Sequence, residues 1–181
     1  MNRDAAKYIG GSRPRSPEGR GEVVPQERPM RSGSAEQVMA RDRRLAAVHE
    51  AGHVVVAAHF GLSPARARIW RAEAPMPGQR AWIGRVQYPR LDVLSSLERR
   101  MLGCAGAAAE LCWQHEDIHP DHWIEADHMS ESDWRLTGCE PGEPDDMCIE
   151  AIEELQYLLS EDGPLWSDLL RQARRLIVEA R

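Results

Sequence analysis

The chain has 181 residues, 42% of them hydrophobic, and a formal net charge of −6 at neutral pH. That length and apolar content suit one packed domain of ordinary size, and the longest apolar runs, "VVVAA" and "AGAAAELCW", are too short or too weak to span a bilayer. Residues 1–33 carry seven Lys/Arg against four Asp/Glu, whereas residues 114–154 hold fourteen acidic side chains and one basic one, Arg135; an acidic body disfavours nucleic acid as a partner.

Residues 1–33 contain four Pro, five Gly and six Arg without apolar periodicity and are expected to form a disordered leader. The N-terminus has no apolar h-region, so no secretory signal is expected and the predicted compartment is the cytoplasm. A single folded domain is expected over residues 34–181. Ser34 and Gln37 make a capping-box pattern, "SAEQ". From there a helix is predicted to run to Gly61, a C-terminal cap, with Leu45, His49, Gly52, His53, Val56 and Phe60 on one stripe.

Two strands should follow, "ARARIW" (65–70) and "AWIGRVQY" (81–88), with "APMPGQ" as the turn between them. A second helix is predicted from Asp92 through "VLSSLERRMLGCAGAAAELCW", with Val93, Leu97, Met101, Cys104, Ala105, Ala108, Leu111 and Cys112 inward. Gly103 and Gly106 inside it cost roughly 1 kcal/mol each relative to Ala, which is tolerable if another backbone, such as the first helix at Gly52, approaches there. The acidic segment "QHEDIHPDHWIEADHMSESDWRLTG" reads as mostly irregular, with Trp113, Trp123 and Trp134 anchoring it on the helices. Pro144, Asp145 and Asp146 then open a helix through Ser160, Gly163 and Pro164 break it, and Leu165 to Ala180 form the last helix. The fold class is therefore α+β and mainly α-helical, a bundle-like domain with a small β-hairpin beside its first helix. The four cysteines, Cys104, Cys112, Cys139 and Cys148, include no C-x-x-C pair, so no cysteine-type structural zinc site is expected and they read as reduced thiols, mostly buried as small apolar groups.

The pattern H-E-x-x-H occurs twice, as "HEAGH" (His49 to His53) and "HEDIH" (His115 to His119). On a helix it sets two imidazoles on one face, with a carboxylate beside them able to act as a base on a water activated by the metal. HEDIH fails on backbone grounds, because Pro120 pushes His119 out of the α region. HEAGH lies mid-helix between apolar segments. At about 100° per residue His49 and His53 lie about 40° apart, and Glu50 about 60° from His53. His-Glu-His among apolar residues persists only when paired or metal-bound, so HEAGH is the candidate zinc site. His59 points elsewhere, as a surface or packing residue. A catalytic zinc takes a third protein ligand. His115, His119, His122, Asp127, His128, Asp133, Asp145, Asp146 and Glu150 are all candidates, and spacing alone does not choose among them.

"HEAGHVVVA", the hairpin segment "WIGRVQYP" and the small-residue helix ending "LGCAGAAAEL" together resemble the peptidase domain of the FtsH-type zinc metalloproteases, over roughly residues 42–180. That resemblance implies a zincin-like domain, His49 and His53 as zinc ligands and Glu50 as general base. It implies Asp133, in "SESDWRL", as third ligand, with His128 and Asp127 as alternatives. The chain departs from the family in having Ala107 where the Gly/Ala-rich helix carries a basic residue, and Leu111 in place of a second acidic residue after Glu110. It has no G-x-x-x-x-G-K-[ST] phosphate loop. The function expected is an ATP-independent zinc metallopeptidase acting on a protein or peptide, with "AWIGRVQY" as a candidate edge for an extended substrate. The alternatives are a non-catalytic module of the same fold that binds a protein partner, and a zinc amidase acting on a small molecule.

Overall fold

The computed structural model describes residues 34–63, 65–75, 79–115 and 129–180. The leader predicted over residues 1–33 lies outside them, as do the tip of the hairpin and residues 116–128.

Helix α1 (Ala35–His59) begins with the capping box its sequence announced: Ser34 accepts from the Gln37 amide, and the Gln37 side chain accepts from Ser34 N–H at 2.9 Å. It ends at Phe60, followed by Gly61 with φ of +76°, where an L side chain would be strained. The predicted single stripe is too narrow. From Leu45 to Ala57 only His49 and Val54 escape full burial, because α1 is the central rod. The second helix, the last helix and both strands all pack around it.

Strands β1 (Arg66–Arg71) and β2 (Trp82–Gln87) form a two-stranded antiparallel sheet in which Ile69 faces Gly84. Two contacts dock β2 on α1. The Ala81 amide donates to Asp42 at 2.7 Å, and the Arg43 guanidinium lies 4.7 Å from the Trp82 ring centre. Arg43 also donates to the Ile177 and Ala180 carbonyls, so one side chain joins the sheet, α1 and the end of the last helix.

Helix α2 spans Ser96–Gln114 and starts later than predicted. Its cap is Ser95, boxed with Glu98; the S-x-x-E signal outcompetes Asp92. Val93 therefore precedes the helix and is 50% exposed, which corrects its inward assignment. Met101 through Glu110 are buried without interruption. A seven-residue helix, α3 (Glu131–Thr137), occupies part of the segment read as irregular. Ser130 caps it, and Gly138, with φ of +76°, ends it. Trp134 is a buried core residue of this helix rather than a loop anchor. Helices α4 (Asp146–Leu159, capped by Asp145) and α5 (Trp166–Glu179) follow the predicted boundaries within one or two residues.

The architecture is mainly helical with one small antiparallel sheet. Leu102, Ile152, Leu155, Leu159 and Leu169 are fully buried and knit α2, α4 and α5 into one core. Among the described residues, no helix is long and apolar enough to cross a membrane.

Candidate metal centre

Three glycines let the helices and sheet close around HEAGH. A Cβ on Gly52 would strike the Ala105 carbonyl and the Ala109 methyl, so the α1–α2 crossing needs a hydrogen there. A Cβ on Gly106 would overlap the His49 ring, and one on Gly84 of β2 would overlap the Glu50 carboxylate. Gly103 does the same service for α3, whose backbone at Asp133 and Thr137 lies against it. The Gly/Ala-rich run in α2 is thus a groove that receives α3 on one side and the HEAGH helix on the other.

Within this shell, His49 Nε2 and His53 Nε2 lie 3.3 Å apart. Asp133 Oδ2 is 3.3 Å from His49 Nε2, and Asp133 Oδ1 is 3.3 Å from His53 Nε2. Each ring is oriented by its other nitrogen. His49 Nδ1 donates to Glu110 Oε1 at 2.8 Å, and His53 Nδ1 donates to the Leu102 carbonyl at 2.8 Å. Carboxylate and carbonyl oxygens only accept, so both Nδ1 protons are committed and both Nε2 lone pairs turn toward the same point. Two such lone pairs and a carboxylate repel unless a proton or a cation lies among them. Bonds of 2.0–2.1 Å in a tetrahedral zinc site give a donor-to-donor edge of about 3.3 Å, which the Nε2–Nε2 separation matches, while the Asp133 carboxylate reaches each ring at that distance through a different oxygen.

The supporting shell is built on both sides. Glu110 takes both guanidinium nitrogens of Arg80, at 2.5 and 2.7 Å, while holding His49. Asp133 occupies the third position of the α3 capping box. Its Oδ2 accepts from the Ser130 amide at 3.1 Å and the Ser130 hydroxyl at 2.7 Å. The helix cap therefore also aims the third donor.

Electrostatics follow from burial and these pairings. Burial alone would lower His49, but the Asp133 and Glu110 carboxylates outweigh it and push its pKa up to about 10. Burial would raise Asp133, yet the two imidazoles hold it far below the usual carboxylate range. Burial likewise opposes the ionised form of Glu110, and His49 with Arg80 overcomes that and keeps it low. Glu50 behaves differently. Burial raises it, the His49 and His53 charges offset part of the rise, and Asp133 and Glu110 add to it. It has no hydrogen bond or ion pair among the described residues, so its carboxylate is free to take a proton.

Glu50, His49, His53 and Asp133 open on a cleft of about 970 Å³, bounded on one side by β2 residues Ile83, Gly84 and Arg85. Tyr88 also lines it; burial and the neighbouring Asp133 and Glu50 carboxylates keep its phenol protonated. Tyr88, Arg80 and the Leu102 carbonyl carry no motif in the sequence that marks them for this site. The S-x-x-D capping pattern at Ser130 was the available signal for Asp133.

Of the other candidates, His115 ends α2 with φ of +55°, so helical register stops where HEDIH begins. The rest of HEDIH, His122, Asp127 and His128 lie outside the described residues. Asp145 and Asp146 lie at the start of α4 and Glu150 within it, none of them in the His49 cluster. His59 is exposed, edge-on to Phe60. No protein-family model matches this chain, and no curated protein matches it.

Proposed function

We propose that this chain is a zinc-dependent metallopeptidase of the FtsH peptidase type, with His49, His53 and Asp133 as metal ligands and Glu50 as general base. The observation that carries the reading is the convergence of two Nε2 lone pairs and one carboxylate at 3.3 Å spacing, each fixed from behind. A bound zinc would supply Lewis acidity, lowering the pKa of a coordinated water toward about 7 and polarising a carbonyl.

The chain's own groups do the rest. Glu50 accepts the proton of the attacking water and returns it to the leaving nitrogen, a role suited to a carboxylate whose affinity for protons burial has raised. Glu110 and the Leu102 carbonyl hold the Nδ1 protons of both imidazoles, so Nε2 is the nitrogen left to bind a cation. Strand β2 pairs only with β1 among the described residues and flanks the cleft beside Glu50. Its other edge suits main-chain pairing with an extended peptide, which would carry a scissile bond past Glu50.

Metal content separates the parts of this reading. Purified wild type should hold zinc at the site, and His53→Ala and Asp133→Ala should lose it. Glu50→Gln should keep the metal and lose hydrolysis of casein or an unfolded chain by about 10²-fold or more. Metal retained in Asp133→Ala would remove Asp133 from the ligand set. Zinc binding with no hydrolysis in the wild type would favour a peptidase-like module that binds a protein partner.

A further inference from the structure

The four cysteines, spaced without any C-x-x-C, read from sequence as unrelated buried thiols. The fold brings two of them together. Cys139 Sγ, just past the end of α3, lies 3.4 Å from Cys148 Sγ, in the first turn of α4. A carboxylate oxygen of Asp145 completes a group in which every donor atom is within 4.8 Å of the others. Buried Cys104 of α2 is near enough to Cys148 to feel its charge, but it lies outside that group of mutually close donors. Cys104 and Cys148 are buried, and Cys139 is half-exposed.

We propose that Cys139, Cys148 and Asp145 form a second metal site, for a thiophilic divalent cation of the zinc class. A thiol is a weak donor and a weak acceptor, so one hydrogen bond between two of them gives little reason for these sulfurs to meet beside a carboxylate. A cation gives one. Two sulfurs and one oxygen are three donors of a tetrahedral zinc site, whose fourth position water would fill. Bonds of about 2.3 Å to sulfur set a sulfur-to-sulfur edge of about 3.8 Å, so Cys139 and Cys148 need to part only slightly. Two thiolates and a carboxylate exceed the charge of a divalent cation. The Arg100 guanidinium, paired with Asp145 and close enough to both Cys139 and Cys148 to feel their charge, offsets part of that excess.

The site would clamp the end of α3. Thr137, in the last turn of α3, accepts from the Cys139 amide at 3.1 Å, and Asp133 lies one turn earlier in the same short helix. Metal at the thiols would therefore tie the helix that carries Asp133 to α4. The thiol site does not depend on the His49–His53–Asp133 centre being occupied or catalytic.

The test uses the full chain, reduced, stripped of metal and titrated anaerobically with cobalt(II), whose thiolate charge-transfer absorption reports sulfur ligation alone. That band should appear in wild type and persist in His53→Ala, which disables the histidine centre. It should vanish in Cys148→Ser and weaken at least tenfold in apparent affinity in Cys139→Ser. Zinc should reach two equivalents in wild type and one in either His53→Ala or Cys148→Ser. Because a serine variant can misfold, the wild type provides a second measure. Zinc should slow alkylation of Cys139 and Cys148 and leave Cys112 unaffected. A wild type without the charge-transfer band and with the same alkylation pattern in the presence and absence of zinc overturns the proposal. So does a Cys139–Cys148 disulfide found by peptide mapping of protein isolated without reductant.

Discussion

His49 and Glu110 are held together by a 2.8 Å hydrogen bond from Nδ1, and the same carboxylate clasps Arg80 through two guanidinium nitrogens. Glu110 is thus the hinge between a buried imidazole and a cation at the cleft wall. Glu110→Gln preserves an acceptor for Nδ1 but removes the charge that favours an electron-rich imidazole. Metal affinity should fall roughly 10–100-fold, read by competition with a chromophoric chelator. An unchanged affinity would show that Glu110 serves packing alone.

Gly84 and Gly106 face different members of the site, so alanine should affect them differently. Gly106→Ala drives a methyl into the His49 ring and should cost metal binding. Gly84→Ala displaces the Glu50 carboxylate instead. It should leave zinc content at the wild-type level while kcat/KM drops by about 10²-fold, the usual penalty for an ångström of misplacement. Parallel metal analysis and peptide hydrolysis check the split. Loss of metal from Gly84→Ala would contradict it.

The metal-free protein should show a pH dependence of defined sign. His49 has an ordinary pKa of 6.5, raised in the folded metal-free chain to about 10. A raised value means the folded state holds the proton more tightly than the unfolded one. That stabilisation is complete below pH 6.5 and is lost as pH climbs toward about 10, with a slope of at most about 1.4 kcal/mol per pH unit. Thermal unfolding of the EDTA-treated chain between these limits should reveal the decline, and His49→Asn should flatten it. Zinc binding in the same window should expel a proton, which calorimetry in buffers of different ionisation enthalpy detects.

Ser130 joins stability to ligation. Ser130→Ala removes a helix cap, worth about 1 kcal/mol, and a 2.7 Å hydrogen bond to Asp133 Oδ2. Denaturant midpoint and zinc affinity should both fall. A loss of stability with unchanged affinity would mean that the imidazoles alone hold Asp133 in place.

Much of this molecule could be read from short-range patterns. Capping boxes, the Gly61 stop, the 3.6-residue run through HEAGH and the alternation in β1 and β2 are local, set within a few residues by backbone hydrogen bonding and side-chain sterics. The start of α2 differs from the expected Asp92 because Ser95–Glu98 and Asp92 are competing local signals, and the box satisfies more free amides. α3 is not legible in the sequence because seven residues carry too little periodicity to announce a helix.

By itself, the sequence determined that His49, Glu50 and His53 occupy neighbouring positions on one helix, since helical pitch requires it. It did not determine which oxygen faces them, what holds Nδ1 of each ring, or that Cys139 and Cys148 lie side by side. Those relations join residues between nine and eighty-four positions apart. Only the packing of α2 against α1, α3 and α4 brings them within bonding distance, because contacts that close long loops depend on how whole faces fit rather than on any local rule.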